Sequence, residues 1–287
     1  MHQDKNQMQA LVSIGMGVYN GENHIRQALD SLLEQDYQNF EIIISDNAST
    51  DATGDIAKEY ANRDDRIKYF RQTENIGLEK NWKFVLDSAV GVYYMGISHD
   101  DMRDANWLST LLAELREGDI GVIGGIRFLR DDGVYIRHLK NYSKGSQLCY
   151  FMENESNYKN LYIFALLRRD VLLKADYGPV FLDYCPDYLY VYSLLRLGNL
   201  RATRKTLMSF RVHSLNEGLR YSKPWKGWKK IVYRIHPFRY YLYHLPYTEG
   251  TLNKIFLILL IPFKHIYAQA SFWFRGAREL LTGRRFI

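Results

Sequence analysis

The sequence is poor in cysteine and has no apolar run long enough to span a bilayer. Its two cysteines, Cys149 and Cys185, match neither a metal-binding spacing nor a disulfide framework. That pattern is typical of a reduced, cytosolic chain, with one disulfide between them as the alternative. The first ten residues are polar and lack the apolar core of a secretory signal. The apolar run within 254–264 is well below the ~20 residues that a membrane span needs. These absences predict a cytoplasmic protein.

Positive charge is concentrated at the end of the chain. The 287 residues carry a net charge of +6, with 38 Lys and Arg against 32 Asp and Glu. Residues 223–287 hold twelve basic and two acidic residues, a balance of +10, which leaves −4 for residues 1–222. A basic segment of this kind favours an anionic partner, either a membrane surface or nucleic acid.

Apolar strands alternate with amphipathic helices through the first hundred residues. The predicted strands are 11–18, 40–45, 67–70 and 92–97, and the predicted helices are 25–34, 53–61 and 78–89. Such alternation predicts an open, largely parallel sheet, in which ligands bind at the carboxyl ends of the strands. From about residue 119 the pattern loosens into strands at 121–128 and 134–139 and a helix near 188–197.

Polar clusters follow three of the predicted strands. They are Tyr19–Glu22, Asp46–Asn47 and His99–Asp101. Read alone, the first two are ordinary turn sequences. Because parallel strands end at one edge of a sheet, we expect the three clusters to converge on one crevice.

The third cluster holds two adjacent carboxylates, Asp100 and Asp101. Carboxylates at a strand end suit a hard cation that bridges protein and phosphate oxygens. The alternative is a helix cap, in which Asp100, Asp101 or Asp104 caps a helix that begins near residue 105 or 106.

These clusters resemble the nucleotide-binding half of family 2 glycosyltransferases with the GT-A fold. The matching segments are Val12–Glu22, Glu41–Asp51, Asn75–Gly77 with Asn81, and His99–Asp101. Gly17 stands where that family usually has proline, and His-Asp-Asp fits the x-Asp-Asp form of its metal motif. The resemblance implies an α/β fold with a Rossmann-like, mostly parallel sheet flanked by helices. We expect a basic, aromatic, helical C-terminal extension beside it.

The resemblance also implies roles for individual residues of the donor pocket. Tyr19, Glu22 and Asp46 would line the pocket for the base and ribose. Asp100 would touch the ribose or the water shell of the metal. Lys80 would contact a phosphate or the base.

Two metal ligands are implied as well. Asp101 would bind Mn²⁺ or Mg²⁺ directly. The stretch Phe210–Ser214 resembles a Tyr-Arg-x-His element of the family, so His213 would complete the metal or pyrophosphate site. Without the resemblance, a lone histidine after a strand is more often structural.

The catalytic base is expected in the second half of the chain. Pro186-Asp187-Tyr188 resembles the family's Glu-Asp-Tyr motif, with proline in place of the glutamate, which makes Asp187 the predicted base. The role needs a carboxylate that takes the proton of the acceptor hydroxyl. Asp183 is the rival, and Asp187 could instead cap a helix that starts at Tyr188.

The basic segment 223–287 is also rich in aromatic residues. Aromatic and basic side chains together suit a helix that lies in the plane of a membrane surface, so we predict a monotopic anchor on the inner face of the cell membrane. The alternatives are helices that pack on the second lobe and a dimer interface. Nucleic acid is not expected, since no recognised binding motif occurs.

The predicted organisation is a nucleotide-sugar-binding half (1–118), an acceptor-binding half (119–222) and a membrane-associating region (223–287). The predicted function is inverting, metal-dependent transfer of a sugar from a nucleoside diphosphate sugar, a UDP-sugar above all. The acceptor would be a saccharide or lipid-linked saccharide of surface polysaccharide synthesis. The alternatives are an inactive sugar-nucleotide-binding scaffold and a nucleotidyltransferase. The latter typically has a basic Gly-rich loop, and Gly17–Glu22 contains no basic residue.

Overall fold

The computed structural model describes residues 7–153, 161–175, 186–212, 242 and 244–282, with only the backbone described at 186, 187 and 267–282. The chain divides into two compact units. The sheet unit comprises Met1–Ser143, Leu161–Asp176 and Gly198–Asn216. The helical unit comprises Lys144–Asn160, Tyr177–Leu197 and Glu217–Ile287. The functional boundaries 1–118, 119–222 and 223–287 stay a prediction.

The sheet unit begins with alternating strands and helices. The strands are β1 (Val12–Val18), β2 (Phe40–Asp46), β3 (Ile67–Arg71) and β4 (Tyr93–Ile97), and the helices are α1 (Ile25–Leu33), α2 (Thr53–Arg63) and α3 (Leu78–Asp87). The rest of the unit contributes β5 (Met102–Arg103), α4 (Trp107–Glu114), β6 (Asp119–Arg130), β7 (Gly133–Arg137), β8 (Leu166–Arg168), α6 (Arg169–Lys174) and β9 (Asn199–Arg211). The helical unit contributes α5 (Gln147–Glu153), α7 (Pro186–Leu194) and α8 (Thr251–Thr282).

One sheet joins all nine strands in the order β3-β2-β1-β4-β8-β6-β9-β5, with β7 paired to β6. The first four strands are parallel, as is the β6–β9 pair. Antiparallel pairs enter with β5, β7 and β8. The sheet is therefore more mixed than the predicted one, while the Rossmann-like α/β arrangement with flanking helices is confirmed.

The core lies on both faces of the central strands. Every residue of β2 and β4 is buried, as is nearly all of β1. Strands covered on both faces read as continuous apolar runs because neither face meets water. Helix α1 supplies one cover, with Ile25, Ala28, Leu29 and Leu32 buried on a single stripe.

The helical unit has a core of its own that is rich in aromatic rings. Tyr188 of α7 stacks on Tyr150 of α5 with 5.1 Å between ring centroids. Lys264 of α8 is fully buried, and its Nζ donates to Met152 O at the end of α5, 2.9 Å away. The last carbonyl groups of a helix have no partner within the helix, and the Lys264 ammonium bonds one of them at the C-terminal end of α5. In the described part of the chain, no helix is both long and apolar enough to cross a membrane.

Candidate active site

The carboxyl ends of β1, β2 and β4 lie side by side. Val18 at the end of β1 pairs with Asp46 at the end of β2, and Met16 pairs with Ile97 at the end of β4. The three predicted polar clusters therefore follow neighbouring strands at one edge of the sheet. This edge is the candidate site.

Two loops at this edge are bonded to each other. Asn20 Oδ1 accepts a hydrogen bond from Thr50 N (2.8 Å), and Asn20 N donates to Ser49 Oγ (3.0 Å). Asn20 has a φ of 50°, in the left-handed region that asparagine tolerates better than most residues. The bonds hold the loop after β1 against the loop after β2.

Glu22 belongs to the same junction. Its Oε2 accepts from Ala52 N at 2.9 Å, at the first turn of α2, and the side chain is exposed. A carboxylate at a helix N-terminus satisfies one of the free backbone N–H groups there. Glu22 thus has a structural partner through Oε2, and its side chain remains exposed.

Asp46, the last residue of β2, is a carboxylate with three hydrogen-bond donors around it. It is completely buried and accepts from Ser49 N (2.8 Å), from Tyr69 Oη (2.9 Å) and from the guanidinium of Arg71. An ionised carboxylate offers about four lone-pair sites, so three donors leave room for roughly one more.

Arg71 was not singled out from the sequence. It ends β3 directly opposite Asp46, donates to Asp46 and to Ser49 O (2.8 Å), and keeps 45% of its side chain exposed. Its opposite charge at the end of the neighbouring strand was the signal that could have found it, once β3 is placed beside β2.

Tyr19 and Lys80 lie at the same edge and are more exposed than Asp46. Tyr19 directly follows β1 and is partly exposed, and Lys80 is an exposed residue in the first turn of α3. Its neighbour Asn81 is buried and bonded twice to Ser45 of β2, through Ser45 Oγ (2.6 Å) and Ser45 O (2.9 Å). Asn81 therefore fixes the start of α3 against the sheet.

Asp101 differs from Asp46 in one respect that matters chemically. It is fully buried, and its Oδ1 accepts from Arg211 N at 3.2 Å. Its Oδ2 is buried and has no hydrogen-bond partner among the described residues. Burial raises the pKa of Asp101 well above its ordinary value, and the charge of Asp100 adds to that rise while Arg103 and Arg211 oppose it.

Asp100 is also buried, and its Oδ1 accepts from Ser98 Oγ. The preceding His99 packs against Gly21, where a Cβ would collide with the imidazole ring. This close approach needs glycine at position 21 and holds the loop after β1 against the His99–Asp101 cluster.

The helix-cap alternative for Asp100 and Asp101 is wrong. Helix α4 begins at Trp107 after Asn106, and β5 intervenes between the acidic pair and that helix. Asp104 does not cap α4 through its side chain either, because its carboxylate accepts from Leu207 N (3.1 Å) and Arg127 (3.0 Å). The residues that directly follow Asp101 form β5 and pair with β9, so they belong to the sheet and not to a helix.

Arg103 lies beside the acidic pair and was also missed. It is buried, and its guanidinium lies 5.2 Å from the ring of Trp107 and 5.7 Å from that of Phe164. Its Nη1 donates to the carbonyl of Met102, whereas Nε and Nη2 have no hydrogen-bond partner in the described part of the chain. Burial lowers the pKa of Arg103 to about 10, against the opposing charges of Asp101 and then Asp100. It supplies counter-charge to the two carboxylates.

The acceptor-side predictions fall largely outside the described residues. Asp183 and His213 lie there, and so does the side chain of Asp187. Helix α7 begins at Pro186, so Asp187 lies in its first turn instead of preceding a helix that starts at Tyr188. Proline is common at that first helical position.

Asp100 and Asp101 are the carboxylates at this edge that could hold a divalent metal. Among the described residues, no group of three or more His, Cys, Asp or Glu residues could hold a metal ion. Asp100 and Asp101 still supply two adjacent carboxylates, and Asp101 has a buried oxygen that no described residue bonds. Mg²⁺ is commonly bound by one or two carboxylates together with water and substrate phosphates. Two carboxylates therefore fit an ion that the diphosphate of a substrate shares.

Known proteins share this sheet and this sequence pattern. The model of glycosyl transferase family 2 matches residues 13–174, more than half of the chain. Glycosyltransferase GlyA of Streptococcus pneumoniae is 32% identical over 166 residues, which cover 57% of this chain and only 23% of GlyA. An uncharacterized glycosyltransferase of Rickettsia typhi is 29% identical over 242 residues, covering 79% of this chain and 74% of that protein.

Solved structures agree on the fold. S. aureus TarS 1–349 in complex with UDP-GlcNAc gives a TM-score of 0.65 at 15% identity, over 89% of this chain and 72% of that one. The mannosyltransferase PcManGT from Pyrobaculum calidifontis, in complex with GDP-Man and Mn²⁺, gives 0.55 at 16% identity, over 94% and 76%. The fold is that of a GT-A glycosyltransferase. The chain belongs to glycosyl transferase family 2, which confirms the family and the enzyme class expected from its motifs.

Proposed function

We propose that this enzyme transfers a sugar from a nucleoside diphosphate sugar to an acceptor hydroxyl, with inversion at the anomeric carbon and with bound Mn²⁺ or Mg²⁺. The observation that carries the proposal is the buried Oδ2 of Asp101, which has no hydrogen-bond partner in the part of the chain that the structure describes and lies beside Asp100 after β4. A buried polar atom without a partner is costly, and a cation would supply the missing interaction.

The base and ribose of the donor would bind at the ends of β1 and β2. Asp46 has capacity for about one further donor, which suits the imide N–H of uracil and makes a UDP-sugar the expected donor. Asp46 is fully buried and paired with the half-exposed Arg71, so we expect the Arg71 side chain to move when a base binds. Tyr19 and the second oxygen of Glu22 would contact the base and ribose.

The diphosphate would bind nearer to β4. Asp101 would ligate the metal directly, Asp100 would hold the ribose or a metal-bound water, and His213 would complete the metal site. Lys80 would contact a phosphate. Arg211 supports this arrangement, because it lies two positions before His213 and its N–H already bonds to Asp101. When bound, the metal neutralises the charge that develops on the leaving diphosphate.

Asp187 is the proposed base. Its carboxylate would take the proton of the acceptor hydroxyl while that oxygen attacks the anomeric carbon from the face opposite the diphosphate. The new glycosidic bond forms as the bond to the diphosphate breaks, which inverts the anomeric centre. Asp183 is the alternative base.

The acceptor would be a lipid-linked saccharide or another precursor of a surface polysaccharide. We place the enzyme in the cytoplasm, held peripherally on the inner face of the cell membrane by residues 223–287. The +10 balance of that region and the exposed apolar side chains of α8 support this location. No nucleic acid partner is proposed.

A donor panel with Mn²⁺ tests the transfer, with release of nucleoside diphosphate as the readout. The wild-type enzyme should release UDP from at least one UDP-sugar, and acceptor-dependent turnover should fall by about 10³-fold in Asp187→Asn. Asp183→Asn is the matched control, and it should retain most of the activity. Loss of turnover in Asp183→Asn alone would move the base to that residue. No release from any donor would favour the inactive scaffold.

A further inference from the structure

The first half of α8 is apolar on two opposite sides. Leu257 and Ile261 are buried, as is Lys264, and this side packs within the helical unit. The other side carries six large apolar residues that are each 48–71% exposed. We name them the outer apolar face: Leu252, Ile255, Phe256, Leu259, Phe263 and Ile266.

The outer apolar face is a continuous stripe. At 100° per residue its six members fall within an arc of about 100°, and they extend over about 21 Å of helix. The buried positions Leu257 and Ile261 lie on the far side of the same turns. Isolated exposed apolar residues are normal on a protein surface, but a contiguous stripe of this length marks an interaction site.

Charge distinguishes between the two classes of partner that an apolar stripe fits. No acidic residue occurs from Thr251 to Ile266, and residues 223–287 carry a balance of +10. A second copy would bring two such basic segments together, and like charges oppose that association. An anionic lipid surface attracts the same charges at about 1 kcal/mol for each basic residue near it.

We propose that the outer apolar face of α8 is the surface that docks on an anionic bilayer, with the helix lying in the plane of the headgroups. This inference rests on the proposed membrane association and assigns it to named side chains. Helices of this type insert their apolar face about 5–10 Å into the boundary between headgroups and acyl chains. The absence of a spanning helix in the described part of the chain is compatible with that depth.

Flotation of the full-length protein with lipid vesicles tests the surface. One set of vesicles is phosphatidylcholine with 30% phosphatidylglycerol and the other is phosphatidylcholine alone. The variant is Phe256→Gln, Leu259→Gln and Phe263→Gln together, since glutamine keeps the helix propensity of the segment. We expect the wild type to float with anionic vesicles and the triple variant to lose ~1,000-fold in partitioning, because each of the three large side chains contributes about tenfold or more.

The matched control replaces three exposed apolar residues of the sheet unit. Val134→Gln, Ile136→Gln and Leu173→Gln remove side chains that are 50–61% exposed, close to the exposure of the three on α8. The control should float as the wild type does. Circular dichroism and UDP release in solution should be unchanged in both triple variants, which separates docking from folding and from glycosyl transfer.

Three other results would overturn the assignment of the outer apolar face to a membrane surface. If the wild type floats and the α8 variant floats equally well, the outer apolar face is not the docking surface, although membrane association stands. If the wild type does not float, membrane association fails, and with it this assignment. If light scattering shows a wild-type dimer that the α8 variant converts to a monomer, the face is covered by a second copy. UDP release remains the separate test of the transferase proposal in every case.

Discussion

Two buried carboxylates, Asp46 and Asp101, lie at the ends of the strands on either side of β1. They differ in how many hydrogen bonds they accept. Asp46, the last residue of β2, is bonded to a backbone N–H, a tyrosine hydroxyl and a guanidinium. Asp101 after β4 is equally buried, but one of its oxygens has no partner among the described residues. The same sheet edge thus holds one carboxylate that three donors already stabilise and one with an oxygen that has no donor among the described residues. The first should contribute to stability and the second should depend on a cation.

The sharpest test of this contrast is Asp101→Asn. We expect kcat/KM for sugar transfer to fall by about 10³-fold or more, because the carboxylate that would hold the metal is lost. The free energy of unfolding without metal should stay within ~1 kcal/mol of the wild type, because asparagine keeps an oxygen for Arg211 N and Asp100 remains as a counter-charge for Arg103. Enzyme kinetics, Mn²⁺ binding by electron paramagnetic resonance and urea unfolding measure the three effects. A large loss of stability with Mn²⁺ binding intact would contradict the contrast.

Asp46→Asn should show the reverse balance. The amide cannot form the ion pair with Arg71, so we expect a loss of about 2 kcal/mol in the free energy of unfolding, measured with urea. UDP affinity, measured by calorimetry, should fall about tenfold because the acceptor for the base is lost. Arg71→Met is the paired variant. If Asp46→Asn weakens UDP binding but leaves the free energy of unfolding unchanged, the Asp46–Arg71 ion pair does not stabilise the fold.

The smallest effect is expected at Glu41, a carboxylate at the opposite end of β2. Burial alone would raise the pKa of Glu41, but hydrogen bonds from Lys68, Ser13 and Val90 N outweigh it, and the pKa lies below its ordinary value. A lowered pKa contributes stability above the ordinary value of about 4.3, and that contribution disappears as the pH falls through the folded-state pKa.

Glu41→Gln should therefore be less stable than the wild type at pH 7, by about 1 kcal/mol. The difference should shrink as the pH drops below about 4. Thermal unfolding between pH 3 and pH 7 measures it. A difference that is constant across this range would mean that shape, and not charge, makes Glu41 stabilising. Transfer activity at pH 7 should be unchanged.

The first four strands and three helices could be predicted from the sequence, and their predicted ends lie within two residues of the observed ones. Their signals are local, because each apolar run or helical stripe is complete within about ten residues. Strand β9 was not predicted over its length. Its thirteen residues include four Lys or Arg, and its pairing with β5 and β6 brings together segments far apart in sequence.

The candidate site divides in the same way. The convergence of three polar clusters follows from parallel strand order, and it could be predicted. The partners of Asp46 and Asp101 could not, because Arg71 and Arg211 become neighbours only through strand register and through the β5–β9 pairing. The choice between a helix cap and a cation site at Asp101 depended on β5, a strand of two residues that periodicity cannot detect.

The hydrogen bond between Asp101 and Arg211 joins residues 110 positions apart in the sequence. This separation determines which part of the sheet edge can form first during synthesis. Strands β1 to β4 can pair once residue 97 has left the ribosome. The partner of β5 follows only about a hundred residues later, roughly 5–20 s at ordinary rates of synthesis. A nascent chain therefore completes the Asp46 edge before the Asp101 edge. Each new molecule would be able to hold a base before it can hold a cation, so no partly made chain would consume donor.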